Sequence, residues 1–504
     1  MRITFIDPTE SIVNYGLRAM VNHLLNYNHD VKMIFLNQPV IRYDYDYPES
    51  IYSDLLPLVK DSDIVGFSFV SNYYGQAKKI TRFIKDNINI PIIWGGIHAM
   101  AAPDQCLQDA DMIGLGEGET PLLELMDKMQ SGYIDYSTKG IWFKRNGAII
   151  KNEIARINPD IDSYSLPLYD NDREYIRREN RIVKMTNDIR KDIICVPTNY
   201  YKIESAETYT YLTLSARGCP SSCTYCCNNL FRSLYGDKKS LLRRRSNNNL
   251  IGELISAREK MPFINLVEIF DDDFICTKVE TIAEFSGMYK KHINLPFRCN
   301  FRPESVSEEK MNLLADAGLI SVEMGLQSAS ANTNKIYKRH FSRNIFLKAV
   351  QVINKHDSIL PHYDIIVDNP LESHSDIQQT LRFLAELPTP FRIPAYSLTF
   401  FPGTHLYEYA KEHNLIRSEE KDIYSKKDFV VYEYKQPYIK FLLFYIRSIG
   451  CRQPLKKKIF SLLTSKFALD VFDSFIFTPF WIAVMFGKRL FSKAKNKNVA
   501  LIPG

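Results

Sequence analysis

The octapeptide CPSSCTYC at residues 219–226 decides how the rest of this 504-residue chain is interpreted. It places three thiols at C-x3-C-x2-C spacing directly after Tyr209–Leu214, a run of β-branched and aromatic residues that predicts a strand. A loop this short can fold back so that three sulfurs face one point. Three thiolates can hold three irons of a cubane cluster and leave the fourth iron open, whereas electron-transfer clusters use four cysteines. The stretch therefore indicates an iron–sulfur site with an open position.

A zinc knuckle is the alternative for the same stretch. Zinc sites usually complete their ligand set with a second C-x2-C or an H-x3-5-H pair at short range. The chain has no second C-x2-C pair, and Cys227 directly follows Cys226, so its side chain is expected to point elsewhere. The ligand pattern therefore favours iron–sulfur chemistry over zinc.

Composition predicts a globular protein of two or three domains in a reducing compartment. Hydrophobic residues make up 45% of the chain and charged residues 24%, which is ordinary for globular proteins. Nine cysteines, three of them clustered, argue against a disulfide framework. The first eight residues predict a short strand that ends at Asp7-Pro8, too short for the core of a signal peptide. We therefore expect a cytoplasmic location.

Positive charge is confined to the C-terminal part of the chain. The net charge is +6, but the residues from Lys440 onward contain twelve Lys and Arg against two Asp. The tail therefore carries about +10 and the body about −4. A body with this charge balance does not indicate nucleic-acid binding.

Residues 1–150 alternate strand and helix patterns, which predicts an α/β fold with a parallel, doubly wound sheet of the Rossmann or flavodoxin type. The predicted strands are Arg2–Ile6, Val31–Leu36, Ile64–Val70, Ile90–Trp94 and Met112–Leu115, and the predicted helices are Tyr15–Leu25, Ala77–Lys85 and Pro121–Met129. Ligands of such sheets bind beyond the carboxyl ends of the strands. Those ends carry Ser68, Gly95-Gly96 and Gly116-Glu117-Gly118-Glu119.

Residues 151–208 are predicted to form a linker and insertion, in which the charged stretch Asp170–Lys191 is expected to be a solvated helix or hairpin. Residues 209–405 return to strand–helix alternation with about six units, which predicts a partial (β/α)6 barrel of the TIM type. Function in such barrels collects at the carboxyl ends of the strands. Polar residues occupy those predicted ends, at 271–273, 302–304, 327–328 and 368–370.

The C-x3-C-x2-C loop with an aromatic residue before its last cysteine resembles the cluster loop of the radical S-adenosylmethionine (SAM) superfamily. The resemblance implies that Cys219, Cys223 and Cys226 ligate three irons of a [4Fe-4S] cluster and that SAM occupies the fourth iron. It also implies an external one-electron reductant of the flavodoxin or ferredoxin type. One electron would then cleave the sulfonium and yield a 5′-deoxyadenosyl radical, while the protein positions the cofactors.

The same resemblance implies SAM contacts at the predicted strand ends. Tyr225 suits stacking near the adenine, with a core aromatic as the alternative. Asp271 and Asp272 resemble the segment that meets the methionine ammonium, and a plain turn is the alternative for them. Arg302 could pair with a carboxylate. The fourth strand resembles the ribose-binding segment, through Glu323, Gln327 and Ser328; Glu323 and Gln327, four residues apart, should share one face.

The N-terminal pattern resembles the cobalamin-binding domain that precedes many radical SAM cores. It implies cobalamin contacts at six residues: Ser68, Gly95, Gly96, His98, Gly116 and Glu117. Glycine removes side-chain bulk and so permits close approach of a cofactor. The D-x-H-x-x-G sequence that supplies a cobalt-ligating histidine in cobalamin mutases is absent, so bound cobalamin should lack a protein histidine on cobalt. A packing or tail-contacting role is expected for His98, and a domain that kept the fold and lost the cofactor is the alternative.

Residues 406–504 leave the barrel pattern and predict a mainly helical, basic tail. The uncharged, aromatic-rich run Ser474–Gly487 is fourteen residues long, too short for a bilayer span of about twenty. Flanked by cations, it suits peripheral contact with a membrane interface. A helical substrate lid or a partner-facing helix is the alternative.

These patterns together predict a cobalamin-dependent radical SAM methyltransferase that acts on an unactivated centre of a small-molecule or lipid-like substrate. One alternative keeps radical SAM chemistry and uses cobalamin for a cyclisation or rearrangement. A second is a non-enzymatic iron–sulfur sensor. The substrate itself is not predicted, because substrate contacts come from loops that vary freely on a shared scaffold.

Overall fold

The computed structural model describes residues 1–9, 11–36, 46–196, 207–236, 241–425, 437–446, 460 and 462–472. It divides into two compact units. The first unit contains residues 1–195, 211–264 and 399–428, and the second is built on residues 265–398 with the described residues of 196–210 and 429–504. The predicted cluster loop therefore belongs to the first unit and the later strand ends to the second.

Nine strands form the sheet of the first unit: β1 Arg2–Asp7, β2 Asp30–Phe35, β3 Ile64–Ser68, β4 Ile92–Gly95, β5 Met112–Gly114, β6 Ile141–Arg145, β7 Ala148–Ile150, β8 Glu174–Arg178 and β9 Arg181–Lys184. Their order is β7-β6-β5-β4-β3-β1-β2-β8-β9. The six strands from β5 to β8 in this order pair in parallel, and β6, β7 and β9 add antiparallel edges. The doubly wound sheet is confirmed.

Helices α1 Tyr15–Asn26, α2 Glu49–Val59, α3 Tyr74–Asn87, α4 Ile97–Ala101, α5 Pro103–Asp109 and α6 Glu119–Gln130 connect or flank these strands, and α7 Asn187–Ile193 follows them. Strands β3 and β4 contain the apolar runs Ile64–Phe67 and Ile92–Trp94, and Ile64 and Ile92 are fully buried, as is Ile3 of β1. Such continuous apolar runs are characteristic of parallel strands whose two faces are both covered.

The segment predicted as a linker and insertion is in part a component of this sheet. Its strands β8 and β9 form a hairpin, as one of the two predictions for this stretch had it, but β8 is paired with β2 rather than solvated. Glu174 of β8 is fully buried and accepts two hydrogen bonds from Arg18, at 2.9 and 3.0 Å. Arg190 of α7 lies 3.0 Å from the same carboxylate. Charge alone suggested a surface hairpin, and the partners that bury it are distant in sequence.

The second sheet contains β10 Cys195–Val196, β11 Thr208–Thr213, β14 Leu266–Ile269, β15 Phe297–Phe301, β16 Leu319–Gln327, β17 Leu360–Val367 and β18 Ala395–Ser397, in the order β10-β11-β14-β15-β16-β17-β18. Strands β14 to β18 pair in parallel throughout. Strands β11, β14, β15, β16, β17 and β18 correspond to the six predicted strands of an open barrel, but the last was predicted at Ser397–Phe401 and shares only Ser397 with the observed β18. A separate two-stranded ribbon joins β12 Ala216–Arg217 to β13 Arg243–Arg244.

The remaining helices are α8 Asn228–Tyr235, α9 Asn247–Lys260, α10 Val279–His292, α11 Glu308–Ala317, α12 Ala331–Ile336, α13 Arg343–Ile353, α14 His374–Glu386, α15 His405–Glu412, α16 Pro437–Tyr445 and α17 Lys466–Phe472. Both predicted ends of α11 are confirmed: Ser307 caps it by accepting a hydrogen bond from the Lys310 N–H, and Gly318 ends it in the left-handed region at φ +107°.

The C-terminal region is helical where it is described, in α15, α16 and α17. No helix in the described part of the chain is long and apolar enough to cross a membrane. The run Ser474–Gly487, for which membrane contact is predicted, lies outside the described residues.

Candidate active site

The cluster loop enters from the ribbon β12–β13 through Gly218. This glycine has φ +91°, and a Cβ placed on it would lie 2.3 Å from the Leu241 carbonyl oxygen. Any larger residue would therefore collide with backbone and adopt a strained conformation. The entry of the loop is fixed by this close approach one residue before Cys219.

Backbone carbonyls within the loop are held by side chains and backbone from outside it. Asn229 donates to the Cys223 carbonyl, and Arg232 donates to the Cys219 carbonyl at 2.5 Å. The Leu406 N–H donates to the Thr224 carbonyl at 2.9 Å. The loop is therefore preorganised by α8 and by the start of α15, both in the same unit.

The three predicted cluster cysteines are buried or half-buried, and the sulfur of Cys219 accepts a local backbone hydrogen bond. Cys223 is buried, and Cys219 and Cys226 are half-buried. The Ser221 N–H donates to the Cys219 sulfur at 3.5 Å. Helix α8 begins two residues after Cys226, and the positive end of a helix dipole stabilises thiolates. The donor set fits a [4Fe-4S] cluster with one iron left for another ligand.

Two further observations bear on this loop. Tyr225 is half-buried between the last two cysteines, and its predicted adenine contact stays a prediction. No group of three or more His, Cys, Asp or Glu side chains in the described residues is arranged to hold a single metal ion. In a cubane, each thiolate binds a different iron.

The loop 116–119, named here the GEGE loop, forms a buried ion-pair cluster with two arginines. Arg243 donates to both carboxylate oxygens of Glu117, one of them at 3.0 Å. Arg217 lies 3.1 Å from Glu117 and 2.5 Å from Glu119. Burial would raise the pKa of Glu117, but hydrogen bonds and charge from Arg243 and Arg217 outweigh it and lower the pKa. The predicted cobalamin contact of Glu117 stays a prediction; the contacts described are with these arginines.

Gly116 is required by the same cluster of contacts. It has φ +82°, and a Cβ on it would lie 2.1 Å from the Tyr235 hydroxyl. That hydroxyl accepts a hydrogen bond of 2.8 Å from the Glu117 N–H. The absence of a side chain at residue 116 therefore serves the approach of Tyr235, which is a reason that the sequence did not suggest.

The other predicted cobalamin residues meet at the carboxyl ends of β3 and β4. Ser68 and Gly95 are paired in register, and a Cβ on Gly95 would meet only the Phe67 carbonyl oxygen, at an ordinary 3.6 Å. A Cβ on Gly114, at the end of β5, would meet nothing within 4 Å. Packing within the chain therefore does not require glycine at either position, which fits a cradle for a close-approaching cofactor.

Gly96 and His98 are explained at least in part by packing. Gly96 has φ +88°, and a Cβ on it would lie 2.6 Å from the Phe69 carbonyl oxygen. His98 is fully buried, bonds to Ser71 at 3.0 Å, and packs against the ring of Tyr74 with centroids 4.9 Å apart. Burial lowers the pKa of His98 to about 4, so it is neutral at pH 7. Its Nε2 is buried and has no hydrogen-bond partner in the described part of the chain.

A small cavity of about 20 Å³ lies in the first unit between α1, residues 161–166 and the entry to the cluster loop. Its walls include Tyr15 and Ala19 of α1, which follows β1, and Leu214 and Arg217, which precede the cysteines. The GEGE loop follows the carboxyl end of β5 and contacts Arg217, so this part of the sheet edge adjoins the entry to the cluster loop within one compact unit.

In the second unit, the strand residues predicted to face the barrel interior share a face as expected. Along β16 burial alternates, with Glu323, Gly325 and Gln327 half-exposed between fully buried neighbours. Gln327 has φ +61°, which is uncommon for a residue other than glycine. Strained residues of this kind cluster at functional sites. Glu323 and Gln327 therefore remain the proposed SAM contacts on this strand.

An acid-rich cluster lines this interior, and sequence reasoning missed most of it. Arg298 of β15 pairs with Glu323 and lies 3.4 Å from Glu268 of β14. Burial raises the pKa of Glu268, and burial together with the neighbouring Glu323 raises the pKa of Asp364 well above its ordinary value. The polar residues at alternate positions 298 and 300 of β15, and at positions 323 and 327 on one face of β16, were the signal that could have identified the face.

The other predicted SAM residues lie at different depths. Asp271 is buried, whereas Asp272 is exposed directly beside it. The Asn300 side chain donates to the Asp271 carbonyl at 3.1 Å, which joins the ends of β14 and β15. Arg302 pairs with Glu304 at 3.2 Å and is half-buried. Asp272 and Arg302 are therefore accessible to a ligand at this end of the sheet.

Ser328 does not share the face of Glu323 and Gln327. It is 1% exposed, and its hydroxyl bonds to Glu372 at 3.1 Å and to Thr380 at 3.0 Å. The left-handed turn at Gln327 carries the chain away from the strand, so the side chain that follows points into packing against α14. Its predicted ribose contact stays a prediction.

Comparisons with known proteins match both halves of this arrangement. Residues 2–126 match the B12 binding domain, and residues 213–384 match the radical SAM superfamily. The chain is 23% identical over 427 residues to the uncharacterized methyltransferase PH0819 of Pyrococcus horikoshii, covering 82% of this chain and 83% of the relative. It is 20% identical over 419 residues to the anaerobic magnesium-protoporphyrin IX monomethyl ester cyclase of Synechocystis sp., covering 82% and 76%.

Solved structures share the fold. The radical S-adenosylmethionine methyltransferase TsrM from Kitasatospora setae, solved with a tryptophan substrate and a SAM analog, superposes with a TM-score of 0.63 at 15% identity, covering 82% of this chain and 76% of that one. The cobalamin-dependent S-adenosylmethionine radical enzyme OxsB superposes with a TM-score of 0.57 at 16% identity, covering 82% and 55%.

The domains and the donor sets agree on three cofactors: a [4Fe-4S] cluster, SAM and cobalamin. The cysteine loop fits the first, and the glycine cradle at β4 and β5 fits the last. The chain is a radical SAM enzyme that carries an N-terminal B12-binding domain.

Proposed function

We propose that this enzyme is a cobalamin-dependent methyltransferase that acts on an unactivated carbon or phosphorus centre of a small-molecule substrate. The observation that supports the proposal is the contact between the GEGE loop, which follows the carboxyl end of β5, and Arg217, two residues before Cys219, within one compact unit. A methyl donor and a radical generator must both reach the same substrate atom, and a common unit meets that requirement. When bound, the cluster and SAM supply the radical, and cobalamin supplies the methyl group.

The residues of this chain have distinct parts in the proposal. Cys219, Cys223 and Cys226 hold the cluster, and α8 keeps their carbonyls in place through Asn229 and Arg232. Open glycine positions at the ends of β4 and β5 let the corrinoid approach the backbone.

The second unit contributes charge complementarity. SAM carries a sulfonium and an ammonium, and carboxyl oxygens accept hydrogen bonds from an ammonium. Asp272 is exposed at the end of β14, and the interior of the barrel has more carboxyl groups than guanidinium groups around Arg298. We infer that Asp271 or Asp272 meets the ammonium, that Arg302 pairs with the carboxylate of SAM, and that Glu323 and Gln327 contact the ribose.

A cyclisation or rearrangement is the second candidate function. The observation that favours it is the 20% identity, over 82% of this chain, to a protein named as a cyclase. The two candidates differ in what becomes of SAM, because methylation consumes a second SAM as methyl donor and releases S-adenosylhomocysteine. Product mass would separate them on any substrate that turns over.

The test begins with anaerobic reconstitution of the full chain with iron and sulfide, followed by hydroxocobalamin, SAM and a chemical reductant. We expect both 5′-deoxyadenosine and S-adenosylhomocysteine, the latter only when cobalamin is present. Cys223→Ala should reduce 5′-deoxyadenosine to background, and Cys227→Ser is the matched control that should retain it. Cobalamin-independent 5′-deoxyadenosine without S-adenosylhomocysteine would contradict methyl transfer, and activity in Cys223→Ala would contradict the cluster assignment.

The remaining proposals concern partners. We infer an external one-electron reductant of the flavodoxin or ferredoxin type, because the cluster must receive one electron in order to cleave SAM.

Peripheral membrane contact through Ser474–Gly487 is supported only by its uncharged composition and the cations that follow it. Vesicle co-sedimentation of the full chain against a chain shortened at residue 473 would test it.

A further inference from the structure

We propose that the GEGE loop is a clamp that sets the position and the reduction potential of the iron–sulfur cluster, with Glu117, Glu119 and Arg217 as positioning residues. The inference rests on the proposed function, since it needs the cluster that the cysteine loop would hold. It assigns to this loop a role beyond contact with cobalamin.

The GEGE loop contacts the chain on both sides of the cluster loop. On the near side, Arg217 lies two residues before Cys219 and is paired with Glu117 at 3.1 Å and Glu119 at 2.5 Å. On the far side, Tyr235 ends α8, the helix that starts just after the last cluster cysteine, and its hydroxyl accepts the Glu117 N–H at 2.8 Å. One loop of the B12-binding domain thus holds both flanks of the cysteine segment.

A third contact closes the arrangement. Arg243 lies opposite Arg217 in the register of the β12–β13 ribbon, and it donates to both oxygens of Glu117. Two like-charged arginines on neighbouring strands would repel each other without the carboxylate between them. Glu117 therefore holds together the ribbon from which the cluster loop emerges.

The carboxylates are committed to these contacts. The side chains of Glu117 and Glu119 are 12% and 5% exposed. Both Glu117 oxygens are bonded to guanidinium groups, and Tyr164 adds a hydrogen bond at 3.3 Å. Because charges interact strongly away from solvent, the net charge of this cluster bears on any charged group that the neighbouring loop holds.

The direction of the effect follows from charge balance. Two carboxylates and two guanidinium groups leave the clamp near neutrality. Removing the charge of Glu117 leaves an excess positive charge beside the cluster loop, which stabilises the reduced, more negative cluster. The reduction potential should therefore rise.

The experiment compares Glu117→Gln and Glu119→Gln with Glu174→Gln in anaerobically reconstituted full-length protein. Glu174 is the matched control, because it is a buried glutamate of the same unit paired with two arginines, Arg18 and Arg190, that belong to α1 and α7. We expect a threefold to tenfold shift of the one-electron equilibrium towards reduction in Glu117→Gln, about 30–60 mV. Glu119→Gln should shift it in the same direction, and Glu174→Gln should leave potential and EPR spectrum unchanged while lowering stability.

Tyr235→Phe tests the clamp without changing any charge. It removes the hydroxyl that accepts the Glu117 N–H, so we expect altered EPR g-values with a smaller change in potential than in Glu117→Gln. If Glu117→Gln does not fold, this variant decides alone. Wild-type potential and g-values in the clamp variants, in a protein that loads iron normally, would overturn the clamp. A wild-type protein that forms no [4Fe-4S] cluster would instead overturn the proposed function.

Discussion

In the first unit, two carboxylates, Glu117 and Glu119, face two guanidinium groups, whereas in the second unit two guanidinium groups, those of Arg298 and Arg339, face three carboxyl groups, those of Glu268, Glu323 and Asp364. The consequences for protonation are opposite. Ion pairs lower the pKa of Glu117, while burial and a neighbouring acid raise the pKa of Asp364. Both clusters are buried at the ends or interiors of parallel strands, so burial alone does not distinguish them.

The difference teaches what each region is built to do. A cluster whose charges are balanced by its own chain is complete and can serve as a clamp. A cluster with an excess of carboxyl groups is completed only by a proton or by a cationic ligand, and perturbed acids of this kind are candidates for ligand sites. The cation SAM would supply the missing positive charge in the second unit. Four measurements would break or sharpen this contrast.

The largest effect is expected from Glu117→Gln. It leaves Arg243 buried and without its ionised partner, so we expect the free energy of unfolding to fall by about 3–5 kcal/mol. Urea unfolding at pH 7 measures the loss. Glu153→Gln is the control, since Glu153 pairs with Lys139 at 2.8 Å on the surface and should show no measurable change. Equal stability of the two variants would contradict the clamp as a stabilising element.

The next effect is a pH dependence at the end of β14. Burial raises the pKa of Asp273 to about 6 from its ordinary 3.8. The folded state then holds a proton that the unfolded state has lost, so stability falls as the pH rises from about 4 through about 6. Wild type should lose on the order of 3 kcal/mol more than Asp273→Asn across that window.

The comparison uses the free energy of unfolding from urea titrations at pH 4, 5, 6 and 7. Asp54→Asn is a useful contrast, because its pairing with Arg181 lowers the pKa of Asp54. The ionised Asp54 therefore stabilises the folded state above the ordinary pKa of an aspartate, and this stabilisation is lost as the pH falls. The pH dependence of stability from Asp54 thus has the opposite sign to that from Asp273. Parallel pH curves for wild type and Asp273→Asn would show that Asp273 titrates normally.

A small effect is expected from Asp364→Asn. Burial and the neighbouring Glu323 raise the pKa of Asp364 well above its ordinary value and so favour its neutral form, which an amide of the same shape imitates. We expect a change within about 1 kcal/mol in the free energy of unfolding. Glu323→Gln, which removes the partner of Arg298, should cost several times more. A large loss in Asp364→Asn would mean that the acid excess in the second unit is absent.

The smallest effect on stability is expected from Gly95→Ala. The added Cβ meets only an ordinary contact at 3.6 Å, so stability should stay within about 0.5 kcal/mol. If Gly95 lines the corrinoid cradle, the dissociation constant for hydroxocobalamin should rise at least tenfold, measured by visible absorption titration. Gly252→Ala, on α9 with nothing within 4 Å, is the matched control. Unchanged affinity in Gly95→Ala would remove Gly95 from the cradle.

Much of the fold could be predicted because its signals are local. Five N-terminal strands, six barrel strands and both ends of α11 were predicted from apolar periodicity and cap residues within a few positions of each other. Helix α2 and the strands β6 and β7 were missed. Helix α2 contains Pro57, and β7 has no fully buried residue, so neither presents a strong pattern.

The candidate site divides in the same way. Spacing predicted the three cysteines as cluster ligands, because a loop ligand set is local, and alternation placed Glu323 and Gln327 on one face of β16. The sequence did not indicate that Glu117 pairs with Arg243, 126 residues away, or that Ser328 turns into packing with Thr380.

The amino-acid sequence by itself determined the chemistry of the thiol loop and the two parallel sheets, since both follow from residue types a few positions apart. Only the tertiary structure decided which carboxylates are neutralised and which are left in excess. The physical reason is that the pKa and the partner of a buried charge depend on every group that the fold brings near it, and those groups come from segments far apart in the chain.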